Sequence, residues 1–225
     1  MFEGMTDIHT HLLPGVDDGV QSVEDSVRIL HFMREMGVKR IYLTPHIMAD
    51  LSANTPEALR SRYEAFLKEC PDCPKLCLAA EYMLDGGFAP LINKGLLAMS
   101  GHHVLVETSY LSPPMGFNEM LYDLRIAGYQ SIIAHPERYL YMRNNDYHKL
   151  KDQGCKLQLN LFSLAGAYGV NAERNAIYIL KQGLYDYTGS DVHQLGNYRE
   201  AIANLSPPKS LLNELRRLVA NNQTL

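Results

Sequence analysis

The sequence predicts an α/β protein, a single-domain barrel of seven parallel strand-and-helix units. Three observations point there: short apolar runs with strand character recur along the chain, turn residues bound each of them, and amphipathic stretches ending in glycine lie between them. Such alternation sets successive strands side by side in parallel, and seven units are enough to curl the sheet into a barrel. At 225 residues the chain can bury a sizeable core, and we read residues 1–225 as one domain.

The first strand runs from Thr6 to His9 and leads into Asp7-Ile8-His9-Thr10-His11. Residues two apart in a strand share a side, so His9 and His11 can offer both imidazoles to one ion while Thr10 points away. Pro14-Gly15 and Asp17-Asp18-Gly19 are turn chemistry that would fold a loop back and carry an aspartate over the same rim. Ser22 to Met36 predicts a helix capped by Ser22, with Val23, Val27, Leu30 and Met33 or Phe32 on one face and Gly37 ending it. Further strands are predicted at Arg40 to Thr44, Lys75 to Glu81, His103 to Glu107, Ser131 to Ala134, Lys156 to Asn160 and Tyr185 to Gly189. Helices fall between them at Pro56 to Lys68, around Leu91, and at Gly116 to Ala127, Asp146 to Gln153 and Asn171 to Lys181. The tail, from Leu195 through Pro207-Pro208, predicts one last helix with Leu211, Leu212, Leu215 and Leu218 on one side, packed on the outside of the barrel.

Composition excludes several classes. Hydrophobic residues at 46% and charged residues at 20% suit a soluble globular protein, and no apolar run is long enough for a membrane span. Met1 to Met5 lacks a basic region followed by an apolar core, so no signal peptide is read and a cytoplasmic location is expected. A net charge of -4 argues against a chain whose main business is to hold a nucleic acid. Cys70-x-x-Cys73, with Cys77 nearby, superficially suits thiolate ligation of a metal. Pro71 and Pro74 interrupt the group, however, and no second pair completes it, so all four cysteines are expected to be free thiols.

The strand ends carry the chemistry. His9 and His11 follow the first strand, His46 the second, Glu81 the third, Glu107 the fourth, His135 the fifth, and Asp191 and His193 the seventh. In a parallel barrel the C-terminal rim is where sites are built, so these scattered residues would converge there. Each has a plain alternative: His46 a turn residue, Glu81 or Glu107 a salt-bridged carboxylate, Asp191 a helix cap. Their recurrence at six strand ends favours convergence. With Asp18 the set is five imidazoles and four carboxylates, which would be costly to crowd together without cations. Two or three divalent ions would neutralise them. Nitrogen and oxygen ligands suit manganese, iron or zinc, and the donor set does not choose among them. Closely spaced ions activate water and clamp a phosphoryl oxygen, which makes hydrolysis the leading chemistry.

Asp7-Ile8-His9-Thr10-His11, Val16-Asp17-Asp18-Gly19, Thr44-Pro45-His46, Ala80-Glu81-Tyr82, Val106-Glu107-Thr108, Ala134-His135-Pro136-Glu137-Arg138-Tyr139 and Gly189-Ser190-Asp191-Val192-His193 together resemble the PHP (polymerase and histidinol phosphatase) superfamily. Within it they are most similar to the bacterial capsule-type tyrosine phosphatases of the CpsB and YwqE kind. The resemblance implies a distorted (β/α)7 barrel and a trinuclear centre. It implies one ion on His9, His11, Glu81 and Asp191, a second on Glu81, Glu107 and His135, and a third on Asp18, His46 and His193. It also implies that Arg138 binds substrate, since a guanidinium pairs with two phosphate oxygens; a surface salt bridge is the alternative. In that picture Arg138 touches substrate and no metal. Arg199 is the candidate second substrate arginine, although it lies about one residue farther from the Asp191-x-His193 motif than the resemblance leads one to expect. Tyr139 is taken as a substrate contact, with Tyr110, Tyr141, Phe162 and Tyr168 as further rim aromatics, and Asn160 would bond either a ligand or its neighbours.

The expected activity is therefore metal-dependent hydrolysis of phosphotyrosine in a protein. The resemblance alone points to the tail of a bacterial tyrosine kinase controlling polysaccharide export as that protein. His46, Asp18 and His193 would serve catalysis beside Arg138. No cysteine lies in a Cys-x5-Arg phosphate loop. Rival readings are a histidinol-phosphate-type phosphatase of small substrates and a non-catalytic barrel that keeps structural metals.

Overall fold

The computed structural model describes residues 3–225; Met1 and Phe2, which open the stretch read for a leader, lie outside the described residues. The elements in chain order are β1 (Thr6–Asp7), α1 (Val23–Glu35), β2 (Arg40–Leu43), β3 (His46–Ile47), α2 (Pro56–Glu69), β4 (Lys75–Leu78), β5 (Glu81–Met83), α3 (Ala89–Ile92) and β6 (His103–Glu107). They continue with α4 (Phe117–Ile126), β7 (Gln130–Ala134), α5 (Asn144–Asp152), β8 (Lys156–Asn160), α6 (Gly169–Lys181), β9 (Tyr187–Gly189), α7 (Leu195–Asn204) and α8 (Leu212–Asn221).

Every ladder is parallel. One sheet runs β1-β2-β4 and the other β3-β5-β6-β7-β8-β9. The predicted second and third strands are each broken in two, so nine strands fill seven positions. Pro45 has no N–H to donate, which ends β2. Around that break Thr44 N bonds Thr10 O at 2.9 Å, and Glu81 N bonds Pro45 O at 3.1 Å. Beyond it His46 stands in register with Glu81.

A seam, not a ladder, joins β1 to β9. Asp191 N donates to His9 O at 2.8 Å and His11 N to Val192 O at 3.0 Å, with Thr10 bridging Val192. Lower down, Asp7 Oδ1 accepts from Ser190 N and His9 N. At the opposite end Asn222 donates to Thr6 O and Thr188 O, both at 2.7 Å, and accepts from Thr188 N. Asn222 is wholly buried, so it supplies main-chain groups there with partners that water does not.

Two apolar layers hold the ring. Ile8, Tyr42, Ala79, Leu105, Ile132 and Tyr187 belong to an inner cluster, while Ile29, Leu30, Met33, Phe66, Leu124 and Ile179 belong to a larger one that takes in the helices. Each leucine, isoleucine, methionine or phenylalanine among them contributes roughly 1.5–3 kcal/mol when buried. α1 forms over the predicted span with Ser22 Oγ accepting from Asp25 N at the cap, but its buried stripe is shifted: Ile29, Leu30 and Met33 are buried while Val23 and Val27 are only partly so. Its buried stripe also holds Ser26, whose hydroxyl donates to Leu12 O at 2.5 Å; the apolar pattern gave no sign of this.

The tail departs from expectation. Leu205 to Pro208 divides it into α7 and α8, because proline cannot continue a helical ladder. α8 packs its Leu215 and Leu218 outside, but Leu225 joins the inner cluster, where Tyr42 Oη donates to Leu225 O at 2.7 Å. Cys70 and Cys73 also depart from expectation. The turn after α2 brings their Cα atoms to 5.6 Å, and they are bridged; Cys77 and Cys155 are free.

Candidate metal centre

The strand ends converge as the sequence predicts. His9 and His11 follow β1, His46 opens β3, Glu81 opens β5, Glu107 closes β6, His135 follows β7, and Asp191 and His193 follow β9. His9 Nε2 lies 3.1 Å from His11 Nε2, 3.1 Å from Glu81 Oε2 and 3.3 Å from Asp191 Oδ1. His11 Nε2 lies 3.2 Å from both Glu81 Oε2 and Asp191 Oδ1. These four buried side chains are the set the resemblance implies for one ion. Asp18, His46 and His193 also group together, with His11 beside them; Asp18 Oδ1 is 3.4 Å from His46 Nε2 and 3.5 Å from His193 Nε2.

The remaining set differs. Glu107 Oε1 faces His46 Nδ1 at 3.0 Å, and Glu81 Oε2 lies 3.4 Å from the same nitrogen. His135 is instead against the other Glu81 oxygen, its Nε2 3.2 Å from Oε1 and 3.9 Å from Asp191 Oδ2. β7 ends one residue short of His135, whose backbone takes φ 33°, and Glu81 and Asp191, not Glu107, are the carboxylates within 4.0 Å of its ring. Asp191 also sits at positive φ, 54°. Two non-glycine residues held in this region at one site are local strain maintained by the surrounding structure.

Supporting groups fix which imidazole nitrogen faces the centre. Gln158 Oε1 lies 3.1 Å from His9 Nδ1, and because that oxygen can only accept, the proton sits on Nδ1 and the Nε2 lone pair points inward. Asp17 Oδ2 does the same for His11 at 2.9 Å, and the Asp191 carbonyl for His193 at 2.9 Å. This is how metal-binding imidazoles are held. Space is tight as well: a Cβ on Gly189 would stand 2.6 Å from His9 Cβ, and one on Gly19 would overlap the His11 backbone.

The donor set fits divalent ions on three counts. Glu81 Oε1, His46 Nδ1 and His135 Nδ1 are buried and make no well-directed hydrogen bond; the first two face only other members of the cluster, His135 Nε2 at 3.2 Å and Glu107 Oε1 at 3.0 Å. His9 Nε2 and His11 Nε2 face one another at 3.1 Å, with Glu81 Oε2 and Asp191 Oδ1 each within 3.3 Å of both, so four donor atoms converge where one cation fits. The third count is electrostatic. Burial opposes charge on His9, yet Glu81 and Asp191 outweigh it and raise the pKa. For His46 burial and His11 oppose charge, but Asp18, Glu107 and Glu81 push it up to about 10. Despite its burial, Glu81 is held well below the ordinary carboxylate range by His9, His11 and His135. Protons on the imidazoles thus balance the carboxylates in the metal-free chain, and divalent ions can displace them.

Arg138 stands at the edge of this centre, its guanidinium 4.7 Å from the Tyr110 ring centroid on one side and 4.0 Å from that of Tyr168 on the other. Its Nη1 donates to Asp191 Oδ2 at 2.6 Å, so it lies against one of the candidate ligands. Asn160 bonds its neighbours, donating to Asp191 Oδ2 and to Tyr168 Oη. Two expected substrate contacts are not brought to the site. Tyr139 is wholly buried, stacked on Tyr141, with its hydroxyl accepting from Thr108 N; it supports the rim from beneath. Arg199 lies over Phe32 at 4.9 Å, since Tyr198 and Ala201 face inward on α7 and the residue next to Tyr198 is turned outward by about 100°.

Asp17, Gln158 and Glu137 are the residues the sequence reading missed. Glu137 is fully buried; Oε1 accepts from Ser163 Oγ and Asn160 N, and Oε2 from Tyr185 Oη, which anchors the turn carrying His135 and Arg138. Gln158 had a visible signal, since it shares a strand face with Asn160 at the rim. Asp17 sits in the turn that supplied Asp18, but adjacency alone does not say which aspartate faces the imidazoles.

Fold and site together define the class: an α/β barrel of PHP type with a metal-site donor set at the C-terminal rim. The chain belongs to the family of capsular polysaccharide synthesis proteins CpsB/CapC, whose family model matches residues 5–205. It is 29% identical to the tyrosine-protein phosphatase YwqE of Bacillus subtilis (strain 168), over 98% of this chain and 93% of that protein. It is 28% identical to the tyrosine-protein phosphatase CpsB of Streptococcus pneumoniae, over 85% and 84%. Among solved structures, one of YwqE from B. subtilis and CpsB from S. pneumoniae, described as metal-dependent tyrosine phosphatases, superposes with a TM-score of 0.79 at 26% identity, covering 96% of this chain and 95% of the other. The Escherichia coli phosphotriesterase homology protein shares the fold, at a TM-score of 0.61 and 13% identity. Among the described residues no helix is long and apolar enough to cross a membrane.

Proposed function

We propose that this chain, as one domain over residues 1–225, is a metal-dependent phosphomonoesterase that hydrolyses phosphotyrosine in a protein. The observation that carries this reading is a converging set of buried imidazole and carboxylate donors beside an arginine packed on two tyrosines. His9, His11, Glu81 and Asp191 would hold one ion, Glu81, Glu107 and His46 a second, and Asp18, His46, His193 and His11 a third, with His135 against Glu81; manganese leads, ahead of iron or zinc. Bound there, divalent ions supply activated water and a positive field for the phosphoryl oxygens.

The chain's own residues do the rest. Arg138 presents its free guanidinium edge to phosphate, and its contact with Asp191 fixes the direction of that edge. Tyr110 and Tyr168 keep it from swinging into solvent and give an aryl substrate flat surfaces to lie on. His193 is the most open of the five imidazoles, 27% exposed, and together with Asp18 it stands where a proton could pass to a leaving phenolate. A cavity of about 570 Å³ opens from Arg138, Asp191 and His193 toward α7. Phosphotyrosine carries its phosphorus several ångströms farther from the backbone than phosphoserine, so a recessed rim favours it. The relatives' capsule association supports a bacterial tyrosine kinase as the phosphoprotein and a cytoplasmic setting. A panel of phosphotyrosine peptide, phosphoserine peptide, histidinol phosphate and a phosphodiester tests the reading by kcat/KM. The phosphotyrosine peptide is expected to lead; faster turnover of histidinol phosphate or the diester would overturn it.

A further inference from the structure

We propose that a groove leading from Arg138 past Leu140 to Arg143 and Arg174 docks an acidic stretch of the phosphotyrosine-bearing chain, next to the residue being hydrolysed. This rests on the reading of the site as a phosphotyrosine hydrolase and adds what it selects beyond the phosphorylated ring.

Two adjoining cavities form the groove. The nearer, about 330 Å³, is walled by Tyr110, Arg138, Tyr168 and Val170. The farther, about 420 Å³, shares Leu140, Asn171 and Asn175 with it and adds Arg143 and Arg174. Arg143 and Arg174 are exposed, and among the described residues neither has a carboxylate within 4.0 Å. The one acidic residue on either wall, Glu137, is 1% exposed, its carboxylate already taken by Ser163, Asn160 and Tyr185. Asp146, close by in sequence, is engaged by Lys149 and by the Arg143 backbone N–H. The far end of the groove is therefore cationic, with Arg138 at the near end paired to Asp191, in a chain whose net charge is -4. Arginine forks suit carboxylates, and the amides of Asn171 and Asn175 can bond an extended backbone. Leu140 and Val170, 66% and 79% exposed, give an apolar step between the ring site and the arginines. Arg143 follows Arg138 by five positions, so their Cα atoms lie at most about 18 Å apart, a span that an extended peptide covers in five or six residues.

The test compares three substrates on metal-loaded protein: a phosphotyrosine peptide flanked by glutamates, the same peptide with glutamines, and a simple aryl phosphate. Each is run on the natural chain and on the Arg143→Gln, Arg174→Gln double variant. Two partly exposed ion pairs imply a KM about fivefold lower for the glutamate peptide, shrinking as salt rises. The double variant should lose that preference while turning over the aryl phosphate unchanged, since neither arginine belongs to the centre. Equal KM for both peptides on the natural chain would overturn the groove, as would a preference that survives in the variant, or one seen only when a second phosphotyrosine replaces the glutamates. Efficient aryl phosphate and glutamine-peptide turnover in those cases would leave the phosphatase reading standing; failure of every phosphotyrosine substrate would instead remove the reading on which the groove depends.

Discussion

Asp17→Asn separates the groups that would hold metal from those that aim them. Asp17 Oδ2 lies 2.9 Å from His11 Nδ1 and 3.1 Å from His46 N, and Oδ1 lies 3.0 Å from Gly19 N. Both oxygens therefore only accept. Asparagine keeps one acceptor and turns the other into an NH2. If that NH2 faces His11, the imidazole must shift its proton to Nε2, which removes a lone pair from the nitrogen 3.2 Å from Glu81 and Asp191. If it faces Gly19, two donors oppose one another in the turn that carries Asp18. Orienting partners of this kind are worth about 10- to 100-fold in metal affinity, or roughly 1.4–2.7 kcal/mol at 1.36 kcal/mol per decade. The assay is competition with a chromophoric chelator, paired with thermal melting of the metal-free protein to register the fold separately. Affinity within twofold of the natural chain, with melting unchanged, would refute the orienting role.

Glu81→Ala should abolish tight metal binding, because Glu81 touches His9, His11, His46 and His135; metal analysis after gel filtration reads this directly. Arg138→Ala should keep most of the metal, weakened through Asp191, while kcat/KM falls by about 10- to 100-fold; equal metal loss in the two variants would contradict the roles assigned. Gly189→Ala should cost about 1–3 kcal/mol in denaturant melts and weaken metal binding, since the added methyl meets His9 Cβ and Gln158. Burial, aided by His102 and Lys156, pushes His103 down to about 4. Because the unfolded imidazole titrates near 6.5, protonation favours the unfolded chain, and stability present above that pH is lost as pH falls from about 6.5 to 4. The drop in Tm of metal-free protein between pH 7 and pH 4.5 should be smaller in His103→Gln; an equal drop would count against it.

Much of the centre was legible because barrel chemistry sits at strand ends, and strand ends can be found from short apolar runs followed by polar residues. His9, His11, Glu81 and Asp191 come together as that logic requires. Details set by turn geometry were not legible. His135 faces Glu81 and Asp191 from a backbone at positive φ, which residue identity does not announce for histidine. Tyr139 and Arg199 were assigned by position in a motif, but one ring is buried under Thr108 and the other side chain is carried outward by the phase of α7. The bonds made by Asn222 to Thr6 and Thr188 span 216 and 34 residues, beyond any local pattern.

The central claim, that oxygen and nitrogen donors at this rim hold the metal on which phosphotyrosine hydrolysis depends, is tested most directly by following turnover of one phosphotyrosine peptide through metal removal and return. Chelation should abolish activity, added divalent metal should restore it in proportion to the metal bound, and alkylation of the free thiols of Cys77 and Cys155 should leave it intact. Activity that survives complete chelation but is lost on alkylation would contradict the account.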